Sequence, residues 1–277
     1  TFKYQNIAFN EPKLIVLDEC HSGLANRTYE FLTHAKNNWK SKIHGFSATP
    51  YRAGKNWTKL KLVPELEYIN DELNHDTNVD RITNIFHKTS NSKSLNILYS
   101  YNLKDAIENG YILEPVFNWF QIDKYKKKEK NSIQFTDTEI VSVLGVLDDI
   151  LGKCYYKKTI VWCREKNIVD KWHQLFEKYK YSYGNLQNLD VYKSYSGPGK
   201  SDYDDYYNKL NGIMFCACQY REGSDIPYLS CELLLDKTFN RNDLVSIQYF
   251  GRVLRLDPNN KKDKGYIIDG CLFDDDK

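Results

Sequence analysis

The chain has 277 residues, of which 41% are hydrophobic and 27% are charged, a composition typical of a soluble globular protein with two medium-sized domains. Its formal net charge of +2 gives no overall basicity, so any surface that binds nucleic acid must be local. No apolar run approaches the roughly 20 residues that span a bilayer, and residues 1–10 lack the pattern of a secretory signal. We therefore expect no membrane association.

The chain begins with two apolar runs, typical of buried strands, on either side of one helical pattern. The strands are predicted at residues 13–19 and 43–48 and the helix at residues 26–40. After Tyr68 the sequence becomes polar and irregular, and residues 102–109 predict a short capped helix. We place a first domain at residues 1–96 and a linker at residues 97–116.

Strands and helices alternate more clearly in residues 117–277, which we predict to form a second domain. The strands are predicted at residues 159–163, 189–195, 213–218, 231–235 and 266–269. The helices are predicted at residues 168–179, 202–210 and 242–255. Such alternation is the signature of a parallel sheet that is covered by helices on both faces. The predicted fold class is therefore α/β, with two parallel-sheet domains.

The cysteines indicate the compartment in which the protein resides. They number seven, and four of them fall in apolar, strand-like runs: Cys163, Cys216, Cys218 and Cys231. This pattern predicts buried thiols and a reducing intracellular compartment, whether cytoplasm, nucleus or virion. Because no second pair of ligands lies near the Cys216-x-Cys218 pair, we do not expect a zinc site.

Two adjacent carboxylates end the first predicted strand, in the sequence DECH (18–21). Ligands of open α/β sheets bind at the carboxyl ends of parallel strands, so both acids stand where a ligand is expected. One acid there can hold Mg²⁺ through water, while its neighbour orients the attacking water. A surface strand end with a helix-capping Asp is the alternative interpretation.

Two further motifs follow predicted strands. SATP (47–50), followed by Arg52, offers small hydroxyl groups that either relay between domains or only cap a turn. GSDIP (223–227) combines a glycine, which permits close backbone approach, with Asp225, which can accept a hydrogen bond from a ribose or a guanidinium group. A plain turn is the alternative for this motif as well.

The last predicted helix contains QYFGRVLR (248–255). Arg252 and Arg255 are three residues apart, so both guanidinium groups emerge from one helix face, and Gln248 lies on the same side. Two parallel arginines suit the charge of a transferring phosphoryl group. Surface salt bridges are the alternative.

Together, and in this order, these motifs resemble those of superfamily 2 helicases. DECH resembles motif II, SATP motif III, REGSDIP (221–227) motif V and QYFGRVLR motif VI, and IVWCR (160–164) is similar to the looser motif IV. GFSATPYR (45–52) is similar to the restriction-enzyme-like and viral branch. The resemblance covers nearly the whole chain. It implies two RecA-like domains and a helicase or translocase that uses ATP and Mg²⁺ and holds one strand of DNA or RNA in a groove between the domains.

The resemblance also implies roles for individual residues. The catalytic residues would be Asp18, which holds Mg²⁺ through water, the base Glu19, the coupled pair His21 and Gln248, and the arginine fingers Arg252 and Arg255. The residues that couple the nucleotide state to the nucleic acid would be Ser47, Ala48 and Thr49, and those that bind nucleotide would be Gly223 and Asp225. The residues that bind nucleic acid would be Arg52, Arg164, Ser196 and Gly197.

One feature of the family is missing upstream of the acid pair. In superfamily 2 helicases a glycine-rich loop that ends in Gly-Lys-Thr/Ser precedes the acids and binds the phosphates. Seventeen residues precede Asp18 and none of them fits, so we expect an incomplete first domain that an upstream segment or protein completes. SYSGPGKS (194–201) is close to such a loop, but it falls between motifs IV and V, and Pro198 removes an amide donor. We expect that loop to face nucleic acid or solvent.

The resulting functional hypothesis is an ATP-dependent helicase or translocase that depends on an upstream phosphate-binding loop. We therefore expect weak ATP binding and little autonomous hydrolysis by these 277 residues. A non-enzymatic nucleic-acid-binding or scaffold module with a helicase-like fold is the alternative, and the motor of a restriction or repair assembly is a third. An in-frame upstream GxGK[ST] segment would favour the first hypothesis over the second, and a linked nuclease domain would indicate the third.

Overall fold

The computed structural model describes residues 11–18, 20, 26–46, 85–86, 101–122, 135–195, 202–217, 225–236 and 249–272. The chain divides into two compact units, Thr1–Ser100 and Tyr101–Lys277. In the described part of the first unit, the order of elements is β1 (Leu14–Leu17), α1 (Asn26–Asn37) and β2 (Lys42–Gly45). The two strands pair in parallel, with Leu14 opposite Lys42, as expected for the two apolar runs of this region.

Burial in the first unit is uneven. Leu32 and Ala35 of α1 are buried, because they lie on the apolar face of this amphipathic helix. In contrast, Leu14 and Val16 alternate along β1 and are more than half exposed on one face of the strand. One face of β1 is therefore an apolar surface that the described residues leave open to solvent.

The second unit is built on six strands, every adjacent pair of which is parallel. They are β3 (Glu114–Ile122), β4 (Lys158–Cys163), β5 (Val191–Ser194), β6 (Gly212–Ala217), β7 (Cys231–Leu234) and β8 (Lys264–Leu272). The order across the sheet is β3-β8-β7-β4-β6-β5. This architecture confirms the predicted α/β class.

Helices cover both faces of the six-stranded sheet. They are α2 (Leu103–Glu108), α3 (Asp137–Lys153), α4 (Lys166–Tyr179) and α5 (Tyr203–Tyr207), and residues 249–253 are also helical. Side chains alternate along β4: Val161 and Cys163 pack in the core under α3 and α4, while Ile160 and Trp162 pack in the core under α5 and residues 249–253. Such two-sided burial explains why the central strands have continuous apolar sequences.

Two elements of the second unit were not predicted from the sequence. β3 was missed because Asn118 and Gln121 interrupt its apolar residues and because part of it fell in the expected linker. α3 was missed although Thr136 and Glu139 form a capping box, the sequence signal of a helix start. The short helix expected at residues 102–109 is confirmed as α2, which is capped by the Asn102 side chain.

The capping box of α3 leads to a prediction about stability. The Thr136 side chain accepts a hydrogen bond from the Glu139 backbone N–H at 3.2 Å, and the Glu139 carboxylate accepts one from the Thr136 N–H at 2.8 Å. Removing the cap leaves a helix N–H without its acceptor, so Thr136→Ala is expected to lower the free energy of unfolding by about 1 kcal/mol. Urea denaturation measures this loss. Thr136→Ser retains the acceptor oxygen, and equal loss in both variants would contradict the assignment.

The cysteines follow the prediction where the structure describes them. Cys163, Cys216 and Cys231 are buried in the strands of the second unit. The six cysteines in the described ranges form no disulfide with one another. Cys218 lies outside the described residues.

Candidate functional site

Asp18 lies at the carboxyl end of β1, where the sequence predicted it. The chain then continues beside the end of β2: the Cys20 N–H donates to the Phe46 carbonyl at 2.9 Å, and the Phe46 N–H donates to the Leu17 carbonyl at 2.8 Å. Gly45 is required at this point, because a Cβ there would lie 2.7 Å from the Cβ of Cys20. The acid motif therefore follows a tightly packed strand end, with the Asp18 side chain exposed.

Most of the other predicted site residues lie outside the described residues. They are Glu19, His21, Ser47, Ala48, Thr49, Arg52, Ser196, Gly197, Gly223 and Gln248. Arg164, predicted to bind nucleic acid, is exposed directly after β4, at the carboxyl edge of the sheet. The roles proposed for the ten residues outside the described ranges, and for Arg164, therefore still rest on the sequence motifs.

Asp225, Arg252 and Arg255 come together in the second unit. The Arg255 guanidinium forms an ion pair with the Asp225 carboxylate, although the two residues are thirty positions apart. Both side chains of this pair are largely exposed, whereas Arg252 is only 6% exposed. Asp225 of REGSDIP and Arg255 of QYFGRVLR thus meet in space, and the Asp225 carboxylate accepts a hydrogen bond from the Arg255 guanidinium group.

A cavity of about 190 Å³ lies beside this ion pair. Its charged lining residues are Asp225, Arg252, Arg255 and Lys262. Its remaining walls come from the loop before β7 and from the segment that follows the helical residues 249–253, among them Ile226, Tyr228, Leu256 and Pro258. Three cationic side chains and one carboxylate therefore surround one small volume, which is an arrangement suited to an anionic group.

Burial shapes the electrostatics of this cavity. Burial lowers the pKa of the Arg252 guanidinium, and the nearby charge of Arg255 lowers it further. Burial also lowers the pKa of Lys262 to about 8, although the Glu232 and Asp257 carboxylates raise it. Charges that are held away from water interact more strongly with a bound anion than exposed charges do.

Glu232, on β7, is fully buried close to Arg252 and Lys262 of this cavity. Neither of its carboxylate oxygens has a hydrogen-bond partner among the residues that the structure describes. Burial raises the pKa of Glu232 to about 8, while the nearby Trp162 indole N–H and the charges of Arg252 and Lys262 lower it. A buried carboxyl group without hydrogen bonds destabilises the fold unless nearby cations offset its desolvation.

Sequence reasoning did not identify Glu232 or Lys262. Glu232 does leave a signal, because a charged residue interrupts the apolar run of β7. Lys262 leaves none, since it stands in a polar stretch between 257 and 264 where a lysine is unremarkable. Its place at the cavity depends on how the loop before β8 folds back.

The described residues offer few ligands for a metal ion. Within these ranges, no three or more His, Cys, Asp or Glu side chains cluster in a way that could hold a metal. The predicted Mg²⁺ contact therefore rests on the single carboxylate of Asp18, through water. No helix in the described ranges has the length and apolar character needed to cross a membrane.

Comparison with known proteins agrees with the motifs. A Saccharomyces cerevisiae protein named "Putative ATP-dependent helicase IRC3" is 26% identical over 279 residues, which cover 94% of this chain and 34% of that protein. No protein-family model matches. This chain thus spans about a third of the length of that relative.

Two solved structures share the fold. The first, a fragment of a "putative HsdR subunit of a type I restriction enzyme" from Vibrio vulnificus YJ016, has a TM-score of 0.55 and 20% identity over 94% of this chain and 44% of its own. The second, the type ISP restriction-modification enzyme LlaBIII bound to DNA, has a TM-score of 0.59 and 18% identity over 98% of this chain and 19% of its own.

The fold and its relatives define the class: this is an α/β protein with a RecA-like parallel sheet, the fold that it shares with the two restriction-enzyme structures. The resemblance to superfamily 2 that was found in the motifs is thereby confirmed. One relative by sequence is the yeast protein that carries the name of an ATP-dependent helicase.

Proposed function

We propose that the chain is part of an ATP-dependent helicase or translocase that acts on a single strand of DNA or RNA. The observation that supports this proposal is the cavity lined by Asp225, Arg252, Arg255 and Lys262, beside which the Asp225 carboxylate pairs with the Arg255 guanidinium group. A triphosphate concentrates several negative charges, and planar guanidinium groups bind phosphate oxygens in pairs. The residues present therefore fit an ATP phosphate group.

The arginines would act on charge that develops during hydrolysis. Bound ATP would supply the phosphoryl group, and Mg²⁺ held through Asp18 would screen its charge. Arg252 would stabilise the transferring group from a position that water barely reaches, which strengthens the interaction. Arg255 would join it after leaving the Asp225 carboxylate. Glu19 would orient the attacking water.

The remaining predicted residues would link hydrolysis to movement on nucleic acid. The coupling set would be His21, Ser47, Ala48, Thr49 and Gln248. The set in contact with the sugar–phosphate backbone would be Arg52, Arg164, Ser196 and Gly197, while Gly223 would let the backbone approach the nucleotide. We propose that the strand runs in a groove between the two domains (residues 1–96 and 117–277), which residues 97–116 connect.

This function requires phosphate-binding groups beyond the 277 residues. We propose that a Gly-Lys-Thr/Ser loop is supplied by an upstream segment or by a partner protein, and we call the chain together with that loop the loop-complete form. Backbone N–H groups and a lysine of such a loop bind the β- and γ-phosphates. Without them, binding would depend mainly on Arg252 and Arg255.

Steady-state hydrolysis by the loop-complete form tests this proposal. We expect ATP hydrolysis that a single-stranded oligonucleotide stimulates, and we expect Glu19→Gln to abolish turnover while ATP still binds. An oligonucleotide that binds without any hydrolysis in the loop-complete form would instead indicate a non-enzymatic scaffold module. The failure to find any loop, upstream or on a partner, would have the same consequence.

A further inference from the structure

The backbone that carries the two arginines ends in carbonyl groups that the helix itself cannot satisfy. The last four carbonyls of a helix have no partner within the helix. Here the Lys262 ammonium group donates hydrogen bonds to the carbonyls of Val253 and Arg255, the latter at 3.1 Å. One side chain thus fixes the backbone on both sides of residue 254.

Lys262 is itself held in place by a tight turn. The Asp257 carboxylate, which is 4% exposed, accepts hydrogen bonds from the backbone N–H groups of Asn259, Lys261 and Lys262 at 2.7–2.8 Å. The Tyr156 hydroxyl donates to the same carboxylate at 3.3 Å. The backbone of Lys262 is therefore anchored to the buried Asp257 carboxylate, and its ammonium group extends back to the segment that carries Arg252 and Arg255.

A second contribution comes from beneath the segment. The Glu232 carboxyl group, which is buried on β7, lies close to the cationic groups of both Arg252 and Lys262. Because Lys262 also lines the cavity beside Arg252 and Arg255, its charge and its hydrogen bonds act on the same small region. No other lysine lines this cavity, as far as the described residues show.

We infer that Lys262 is a positioning residue, which holds the segment of Arg252 and Arg255 in the conformation that presents both guanidinium groups to a bound phosphate. The expected effect of Lys262 on ATP turnover rests on the proposed function. Its role in holding the backbone of the segment does not. Without the ammonium group the carbonyls of Val253 and Arg255 lose their donor and the segment loosens. Small misplacements of catalytic groups, of about 1 Å, can cost on the order of 100-fold in rate.

The neighbouring lysine provides a matched control. Lys262→Met keeps the length of the side chain and removes its charge and donors, whereas Lys261→Met makes the same change one residue away, at a side chain that lies 5.9 Å from the Tyr155 ring and does not line the cavity. Hydrogen–deuterium exchange of the 277-residue chain reports on residues 249–256. We expect faster exchange there in Lys262→Met and unchanged exchange in Lys261→Met.

Kinetics of the loop-complete form test the catalytic consequence. We expect Lys262→Met to lower kcat for ATP by about 10- to 100-fold without changing the KM for a single-stranded oligonucleotide, and Lys261→Met to behave as the wild type. A merely structural role would lower the apparent kcat only in proportion to the folded fraction, so turnover is expressed per folded molecule. Exchange and turnover in Lys262→Met equal to those of Lys261→Met would overturn the inference.

Two further outcomes are decisive. If Lys262→Met does not fold, Lys262→Arg replaces it: a guanidinium group keeps charge and donors, so exchange in residues 249–256 should match the wild type, and faster exchange would refute the inference. If the wild-type loop-complete form shows no stimulated hydrolysis, the proposed function fails by itself. The positioning role of Lys262 is then decided by the hydrogen–deuterium exchange measurement alone.

Discussion

Replacing Arg252 by lysine is expected to lower oligonucleotide-stimulated ATP turnover by about 1000-fold, since arginine fingers contribute roughly 10³–10⁵ in rate to phosphoryl transfer. Arg252 is 6% exposed and lines the cavity, so its guanidinium group is held away from competing water. Lysine keeps the charge but loses the planar fork that contacts two phosphate oxygens at once. Steady-state kinetics of the loop-complete form would show the loss mainly in kcat.

Arg164→Lys is the matched control for this prediction. Arg164 is exposed at the end of β4, and its proposed contact is with nucleic acid. The same substitution there should raise the KM for the oligonucleotide and leave kcat close to that of the wild type. If Arg252→Lys and Arg164→Lys lowered kcat equally, the result would contradict the distinction between an arginine that acts on ATP and one that binds nucleic acid.

The second large effect concerns stability and pH. Burial raises the pKa of Glu232 from its ordinary value of 4.5 to about 8, so the folded protein holds a proton there that the unfolded chain releases above about pH 4.5. Because the folded state binds more protons between these two values, its stability falls as the pH rises from 4.5 to 8. Each pH unit in this window corresponds to about 1.4 kcal/mol.

Glu232→Gln removes this titration and preserves the shape of the side chain. We expect the variant to be more stable than the wild type by on the order of 3 kcal/mol at pH 8, and by much less at pH 5. Urea denaturation at both pH values measures the difference. The pKa of Lys262 is lowered to about 8, so its titration has the opposite effect: it makes stability rise with pH, and it does so above pH 8. The comparison therefore stays at or below pH 8.

An exposed carboxylate provides the control for the pH experiment. Glu108 lies on the surface of α2, where it pairs with Lys104. Glu108→Gln should leave the pH dependence of unfolding as it is in the wild type. If Glu232→Gln also retains the wild-type dependence, the buried carboxyl group does not titrate as its surroundings indicate.

The sequence was most informative where burial is uniform. β4 and β6 are buried on both faces, and their apolar runs predicted both strands and hence the α/β class. The edge strand β3 was missed because Phe117 and Trp119 are about half exposed, which goes with a mixed sequence of apolar and amide residues. Local pattern predicts elements that lie inside the core better than those at its edge.

The candidate site was only partly predictable for a different reason. Motif order indicated that Asp225 and Arg255 serve one site, and the structure joins them in an ion pair. Glu232 and Lys262 contribute through their positions in the fold. Glu232 is a carboxyl group buried in an apolar strand, and Lys262 extends back from a loop that is anchored by Asp257. Neither contact follows from local spacing, because both depend on tertiary packing.

The affinity for ATP, titrated with and without a single-stranded oligonucleotide, tests the central claim most directly. For the 277-residue chain alone we expect weak binding of ATP. For the loop-complete form we expect tight binding in which the oligonucleotide changes the affinity for ATP, and ATP changes the affinity for the oligonucleotide by the same factor. An ATP affinity of the loop-complete form that is indifferent to the oligonucleotide would contradict a motor that couples the two ligands.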